Sequence, residues 1–558
     1  MPSPSSASSA TPTGTFDYVI VGAGAAGSVL ANRLSAEPGV TVCLLEAGGD
    51  ARAPWLRLPA GFIKAIFNPA WTWQYGSEPT ANTLGRRVPI PQGRVLGGTS
   101  SINGLIYNRG QHGDFDGWAA RGNPGWSYAE VLPYFMRSER HVGRGDPAYH
   151  GRDGELVTSS LDWRHPICDA FMDAAVGLGL PRNGDYNGAT QAGVGYFQRT
   201  IDGRWRSGAA SAFLDPVASR PNLEIRTRAQ TVAIELEGKR ATGVRYLQGE
   251  AGGPMKAVRA RREVIVCAGA INTPKLLQLS GIGPAEHLRA HGITVAHALE
   301  GVGANLQDHY SVRVVARVRN SRTVNEMAQG TGLVGQVARW LAGRPNLLAV
   351  SPSLMHWFAK SRPDLAQPDL QGVFTPASYK EGYVGRLDNF PGMTAGVWGH
   401  QPWSVGSVRL RSSQALDEPL VQPNYLEDER DHPVLVSGIR QARALLASPA
   451  LAHFFESETM PGAQAQSDDE VLDFARRYGV SACHLAGTAR MGRADDPMAV
   501  VDATLKVHGL DGLRVVDASV MPSVPSANTC AGSMMVAEKA ADMILGHAPL
   551  PAAGFVQP

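Results

Sequence analysis

A chain of 558 residues is too long for one ordinary hydrophobic core, so two or three domains are expected. With 43% hydrophobic and 18% charged residues it can bury a large interior, which excludes general disorder. Its 52 basic and 50 acidic residues are interspersed and leave a net charge of +2, so no stripe for nucleic acid stands out.

The opening "MPSPSSASSATPTGT" has neither the basic nor the continuous apolar region of a signal peptide, and residues 1–14 read as a flexible tail. The first structured stretch is "FDYVIVGAGAAGSVLANRLSAEPGVTVCLLEAGGD". Tyr18 to Val21 form a short apolar run, Gly22, Gly24 and Gly27 follow, and Val29, Leu30 and Leu34 recur at helical spacing before "VTVCLLE" restores a buried strand. Such a βαβ unit suits a dinucleotide. Gly22 allows the tight turn, Gly24 lets a pyrophosphate approach the backbone, Gly27 lets helix and strand pack closely, and the helix N-terminus attracts phosphate. Glu46, 19 residues after Gly27, ends the second strand where it can accept from a ribose 2′-hydroxyl, and its charge disfavours a 2′-phosphate.

Next, "GRVLGGTSSINGLIYNRG" (93–110) gathers small residues around the apolar anchors Leu96, Ile102, Leu105 and Ile106, as a backbone pressed against a flat ligand would require. The segment "RREVIVCAGAINTPKLLQLSGIGP" (261–284) gives a second strand and turn, with a helix expected to begin near Thr273-Pro274. Between 309 and 479 the chain becomes Pro-rich, aromatic and β-like, which suggests a sheet that covers a substrate. It then returns through "DEVLDFARRYG" to "HLAGTARMG…VVDASVMPSVPSANT" and a closing helix "SMMVAEKAADMIL", so the nucleotide domain is discontinuous. Cys43, Cys168, Cys267, Cys483 and Cys530 are scattered without C-x-x-C spacing, which disfavours a disulfide framework or a metal site and fits a reducing, cytoplasmic setting. No apolar run reaches the roughly 20 residues of a transmembrane helix.

Four stretches taken together, "VIVGAGAAGSVLANRLS…LLEAG", "GRVLGGTSSINGLIYNRG", "GAINTPKLLQLSGIGP" and "HLAGTARMG…VVDASVMPSVPSANT", make residues 16–546 resemble the glucose–methanol–choline flavoproteins, in particular the bacterial choline-dehydrogenase-like alcohol dehydrogenases. The resemblance implies an α/β fold in which a discontinuous Rossmann-like FAD-binding domain (15–155, 193–308 and 480–546) joins a substrate domain (156–192 and 309–479) built on a mostly antiparallel sheet covered by helices, with a tail at 547–558. It implies oxidation of a primary alcohol, aliphatic or aryl, by hydride transfer to the flavin N5. His484 takes the place of the base and Asn528 that of the group that orients the alkoxide. A neutral imidazole can accept the hydroxyl proton while an amide N–H holds the developing charge.

By the same resemblance, Arg94, Gly97, Gly98, Ser100 and Asn103 belong to the flavin-binding block. Val232 in "LEIRTRAQTVAIEL" corresponds to the adenine contact, and Ala268, Asp517, Ala518 and Thr529 would complete the cofactor site. The helix after "SANT" would point its positive end at the flavin. Ile102 stands where some relatives carry a histidine bonded to FAD, so the cofactor is expected to be non-covalent. Asn528-Thr529-Cys530-Ala531-Gly532 departs from the family's usual "NTN-x-P", and Ala482-Cys483 before His484 is smaller than is common, which suggests a roomier pocket. Gln401 replaces a frequent arginine. His356, Trp357, Phe374, Trp398 and His400 are candidates for the pocket lining beside Ala482 and Cys483, although aromatic residues there could equally be core. A quinone or an electron carrier is the expected acceptor, and a dehydrogenase is favoured over an oxidase. Relatives that cleave cyanohydrins offer a lyase as the alternative; photodecarboxylating relatives lack the His/Asn pair.

Overall fold

The computed structural model describes residues 12–249, 252–380 and 386–554. Strand β1 (Pro12–Val21) runs into helix α1 (Ala25–Leu34) and returns as β2 (Val42–Leu45). Next come β3 (Gly193–Tyr196), β4 (Leu223–Arg226), β5 (Ala229–Glu237), β6 (Arg240–Gln248) and β7 (Met255–Val266), from whose end helix α2 (Gly269–Leu279) departs. The chain continues through β8 (Tyr310–Val318), α3 (Gly330–Leu341), β9 (Met355–Ala359), β10 (Leu370–Thr375), β11 (Gly392–Gly399) and α4 (Asp431–Leu446). It closes with β12 (Phe455–Met460), β13 (Val480–Ser481), β14 (Leu513–Val515) and α5 (Thr529–Leu545).

The first sheet has the order β4-β2-β1-β7-β6-β5, with β14 added on β7. Its β4, β2, β1, β7 and β14 run parallel, and β7-β6-β5 form an antiparallel meander. Val19, Ile20, Leu44, Val264 and Ile265 are fully buried, as strands covered on both faces require. Val21 pairs with both Leu45 and Val266, so β1, β2 and β7 end at one level. The residues just after them, Gly22, Glu46 and Cys267, therefore converge on the crevice outside the carboxyl ends of the strands, where open α/β sheets bind their ligands. Helix α2 begins at Gly269, earlier than the Thr273-Pro274 of the sequence reading, and Pro274 lies inside it. The Ala270 carbonyl, which Pro274 cannot serve for want of an N–H, accepts from Thr488 Oγ1 at 2.7 Å.

The second sheet, β12-β8-β11-β10-β9-β3, is antiparallel throughout, with β13 added on β8. Helix α4 covers one face. Gly438 allows it to sit close, since a Cβ there would lie 2.8 Å from Val397 Cγ2. The period of two sends Val312, Val314, Phe374, Ala395 and Val397 into that covered core, while Ser311, Arg313, Val373, Thr375, Thr394, Gly396 and Trp398 face the opposite way onto a cavity shared with the first sheet.

Some boundaries move relative to the sequence reading. Residues 193–196 pair with β9 and so belong to the second sheet, and residues 480–481 extend it through β8. Residues 12–14 are strand rather than tail, with Pro12 opposite Ala257. At the other end, Leu550 N donates to the Tyr134 hydroxyl and Ala553 N to the Ala129 carbonyl, which ties this part of the expected tail to the first domain. Residues 1–11 and 555–558 lie outside the described residues.

Candidate active site

The dinucleotide end of the cavity is built from glycines whose spacing the backbone demands. Gly22 adopts φ +100°, and a Cβ there would stand 2.5 Å from the Cys267 carbonyl oxygen; at Gly27 it would be 1.9 Å from the Gly22 oxygen. Gly24 differs, because a Cβ there would meet nothing within 4 Å. That open space lies at the N-terminus of α1, which Gly24 caps without any side-chain bond, so backbone N–H groups of the first turn face the cavity. Gly98 comes so close that its Cβ would lie 2.7 Å from Gly24 Cα. An open, uncapped cradle of this kind fits a pyrophosphate.

Glu46 accepts from Ala23 N at 3.0 Å and Gly48 N at 2.8 Å. Burial pushes its carboxyl up to about 7 against the pull of those two N–H groups. Asp517 accepts from Gly269 N (2.8 Å), Thr273 Oγ1 (2.6 Å) and Ser519 N (2.8 Å), which pins the α2 turn to the segment after β14. Ala268, Ser100, Asn103, Ile102, Ala518, Asn528 and Thr529 line the same cavity. Asn103 Oδ1 accepts from Leu105 N and from Arg206, and Ser100 Oγ donates to the Gly97 carbonyl. Four expected cofactor residues stand off the cavity wall, Gly27 among them, where it packs α1 against the Gly22 turn. Arg94 lays its guanidinium over Trp73, itself a wall residue, at 4.5 Å; Gly97 supports the loop through its N–H to the Ala23 carbonyl at 2.7 Å; Val232 sits at a bulge in β5.

At the other end of the cavity the chain turns sharply out of β13. Cys483 takes φ +60°, a left-handed conformation, and so brings His484 back toward the wall. Asp308 holds this turn by accepting from His484 N at 2.7 Å and from the Ser481 and Tyr425 hydroxyls. Burial pushes its carboxyl up to about 6. The thiol of Cys483, pushed up to about 12 by burial, stays protonated.

The hydrogen bonds around His484 fix its tautomer. A carbonyl only accepts, so the 2.6 Å contact between His309 Nε2 and the His400 carbonyl requires Nε2–H on His309. Burial keeps that ring neutral by depressing it to about 4, which leaves its Nδ1 as an acceptor. His484 Nδ1, 2.9 Å away, must donate, and the lone pair of His484 is then on Nε2. Asn528 Nδ2 stands 2.8 Å from that Nε2 and donates to it. The amide of Asn528 is oriented in turn: Gln371 Nε2 approaches its Oδ1 at 3.4 Å, and Asn108 Nδ2 approaches Gln371 Oε1 at 3.3 Å. Residues 44 positions apart in the chain thus meet on the cavity wall, an imidazole acceptor paired with an amide donor. Burial depresses His484 well below the ordinary imidazole range, so the base form persists at neutral pH.

Ala482, Cys483 and Trp398 line the cavity, but His356, Trp357, Phe374 and His400 do not. Trp357 and Phe374 alternate onto the core face of the second sheet, where Phe374 stacks on Phe171 at 3.9 Å, and its neighbours Val373 and Thr375 take the cavity side. His356 is covered by Tyr186 and Phe197, and the His400 ring faces away while its carbonyl anchors His309. Gln401 donates to Asp114, which accepts from Ser526 N and Oγ and so steadies the loop that carries Asn528. Sequence reasoning missed His309, Asp308, Gln371 and Asn108. A signal was present: "LQDHYSVRV" puts two titratable residues directly before a buried strand, and "LQGVFT" carries a glutamine inside an apolar one.

Residues 16–311 match the N-terminal and residues 402–537 the C-terminal family model of the GMC oxidoreductases. The chain belongs to the GMC oxidoreductase family. It is 38% identical over 533 residues to the alcohol dehydrogenase [acceptor] of Pseudomonas putida, covering 95% of this chain and 96% of that protein. To the oxygen-dependent choline dehydrogenase of Photobacterium profundum it is 39% identical over 540 residues, 96% and 94% of the two chains. Among solved structures, an FAD-dependent oxidoreductase from Chaetomium thermophilum superimposes with a TM-score of 0.86 at 28% identity, over 95% of this GMC oxidoreductase and 99% of the other chain.

Proposed function

We propose that this GMC oxidoreductase oxidises a primary alcohol to an aldehyde, with His484 as base and Asn528 as the donor that orients the oxygen. FAD, when bound, supplies the hydride acceptor. The observation that carries the reading is the tautomer chain His400 carbonyl, His309, His484: it sets the Nε2 lone pair of a neutral imidazole at the cavity wall, where the Asn528 N–H donates to it. An alcohol that displaces the Asn528 N–H from His484 Nε2 gives its hydroxyl proton to that lone pair, and the released N–H holds the oxygen as negative charge builds on it, which eases departure of hydride from the carbon. Asp308 and His309 hold the imidazole while it does this. A lyase has no support, since the relatives are named as oxidoreductases acting by redox.

Non-covalent attachment follows from Ile102, an aliphatic wall residue that cannot bond to FAD. Both relatives are named dehydrogenases, the P. putida one with its acceptor unspecified and the P. profundum one as oxygen-dependent; for this chain we take a dehydrogenase with a quinone or carrier as acceptor. The five cysteines are all free, which suits the cytoplasm, and among the described residues no helix is long and apolar enough to cross a membrane. The test is anaerobic mixing of the yellow holoprotein with a panel of aliphatic and aryl alcohols. Loss of the visible flavin absorbance is expected with at least one, and His484→Ala should keep FAD yet bleach about 10²–10⁴-fold more slowly. Undiminished rates in His484→Ala would remove it from the chemistry.

A further inference from the structure

Helix α3 is amphipathic in the wrong direction for a soluble surface. Gln336, half-buried, turns inward and its Oε1 accepts from Leu347 N at 3.0 Å, while the exposed Arg339 folds along the end of the helix, its Nε donating to the Pro345 carbonyl at 2.8 Å. Leu333, Val334, Val337 and Leu341, spaced to share one face, turn outward, with Val334 69% and Leu341 64% exposed, and no residue of the helix is buried. This stripe does not stand alone. Trp340 packs edge-on against the exposed Trp205 at 5.1 Å between ring centroids, the Trp205 segment touches the short helix Pro54–Arg57 with its exposed Trp55, and the turn Pro59–Gly61 meets residues 347–349 behind α3. The next short helix, Phe62–Ala65, places Phe62 in the cavity wall and Ile63 on the outside.

The rim of the patch is basic. Arg52, Arg57, Lys64, Arg339 and Arg344 are exposed and Arg204 is half-buried over Trp340. Of the acids close in sequence, Asp202 lies 3.9 Å from Arg140 and Asp50 accepts from Arg52 N. A contiguous apolar surface ringed by cations matches a leaflet of anionic lipid, with aliphatic and indole side chains in the acyl boundary and guanidinium and ammonium groups at the phosphates. A helix of 12 residues, about 18 Å long, is too short to span a bilayer and suited to lie in its interface.

We infer that α3, together with Trp55, Ile63 and Trp205, docks the protein on an anionic membrane surface, with the flavin cavity opening beside the docked face. Phe62 and Ile66, on the cavity wall behind Ile63, then bring a membrane-dissolved quinone close to the site. That last clause rests on the quinone reading of the acceptor; docking itself is measured without turnover, so the two can fail separately.

The experiment is co-sedimentation of holoenzyme with vesicles of phosphatidylglycerol and phosphatidylcholine, against phosphatidylcholine alone. Wild type is expected in the pellet with anionic vesicles and in the supernatant with neutral ones. The double variant Val334→Glu/Leu341→Glu, at exposed positions, should keep its FAD content and melting temperature and lose binding at least about tenfold. Lys64→Gln/Arg344→Gln should weaken binding to anionic vesicles by roughly fivefold per charge removed. Wild type left in the supernatant with anionic vesicles would overturn the inference. So would a dimer seen by light scattering that the Val334→Glu/Leu341→Glu variant splits, because the apolar face would then belong to a second copy of the chain.

Discussion

Replacing His309 by leucine isolates the part of the site that acts through another residue. His309 is fully buried and lies off the cavity wall, so it touches neither alcohol nor cofactor. Its Nδ1 is the acceptor that keeps the proton on His484 Nδ1, 2.9 Å away. Leucine leaves that N–H unpaired in the interior, where an unsatisfied donor costs about 1–3 kcal/mol. The imidazole can relieve the cost by moving its proton to Nε2, but the lone pair then points away from the alcohol and the base is lost. Converted at about 1.4 kcal/mol per tenfold, kcat should fall by roughly 5- to 150-fold. KM and FAD content should change little, since no wall group has moved. His309→Gln, whose amide oxygen can accept in place of Nδ1, should recover part of the rate, a response that a purely structural filler would not give. Steady-state kinetics with the alcohol identified by bleaching, alongside FAD stoichiometry, decide the matter. A kcat within twofold of wild type in His309→Leu, or a loss explained entirely by missing FAD, would refute the tautomer argument.

Two glycines of one turn should respond oppositely to alanine. Gly24→Ala puts a methyl into open space and should fold normally with weakened FAD affinity, whereas Gly27→Ala meets a carbonyl at 1.9 Å and should lower the melting temperature or prevent folding. Thermal melting with and without added FAD separates them; equal loss of fold in both would count against the cradle. Cys483→Gly relieves a left-handed backbone and should stabilise by about 1 kcal/mol, while Cys483→Val should destabilise by at least as much; denaturant titration reads both. For pH the sign follows from burial, which favours neutral His484, so a proton binds only well below 6.5. The acid limb of kcat/KM should therefore lie well below the ordinary imidazole value, and a midpoint at 6.5 would show that His484 is not held as described.

The sequence makes the first sheet legible because its signals are local: a β-branched run, glycines at fixed offsets and a glutamate at the end of the next strand describe one contiguous unit whose geometry the backbone enforces. His484 and Asn528 were legible for another reason, their place in spaced motifs, and the structure supplies what spacing could not, a proton position. That position depends on the His400 carbonyl and on His309, which arrive from different strands of the second sheet, and no periodicity within either segment encodes the meeting. The second sheet also explains why the pocket aromatics were misread. With a period of two, Phe374 and Val373 are indistinguishable as candidates until it is known which face α4 covers, and that depends on a helix about 60 residues downstream. Chemistry carried by neighbours in the chain is thus readable early. Chemistry carried by one element's choice of partner, including the orientation of His484 by His309 and of Asn528 by Gln371, becomes readable only when strands are in register.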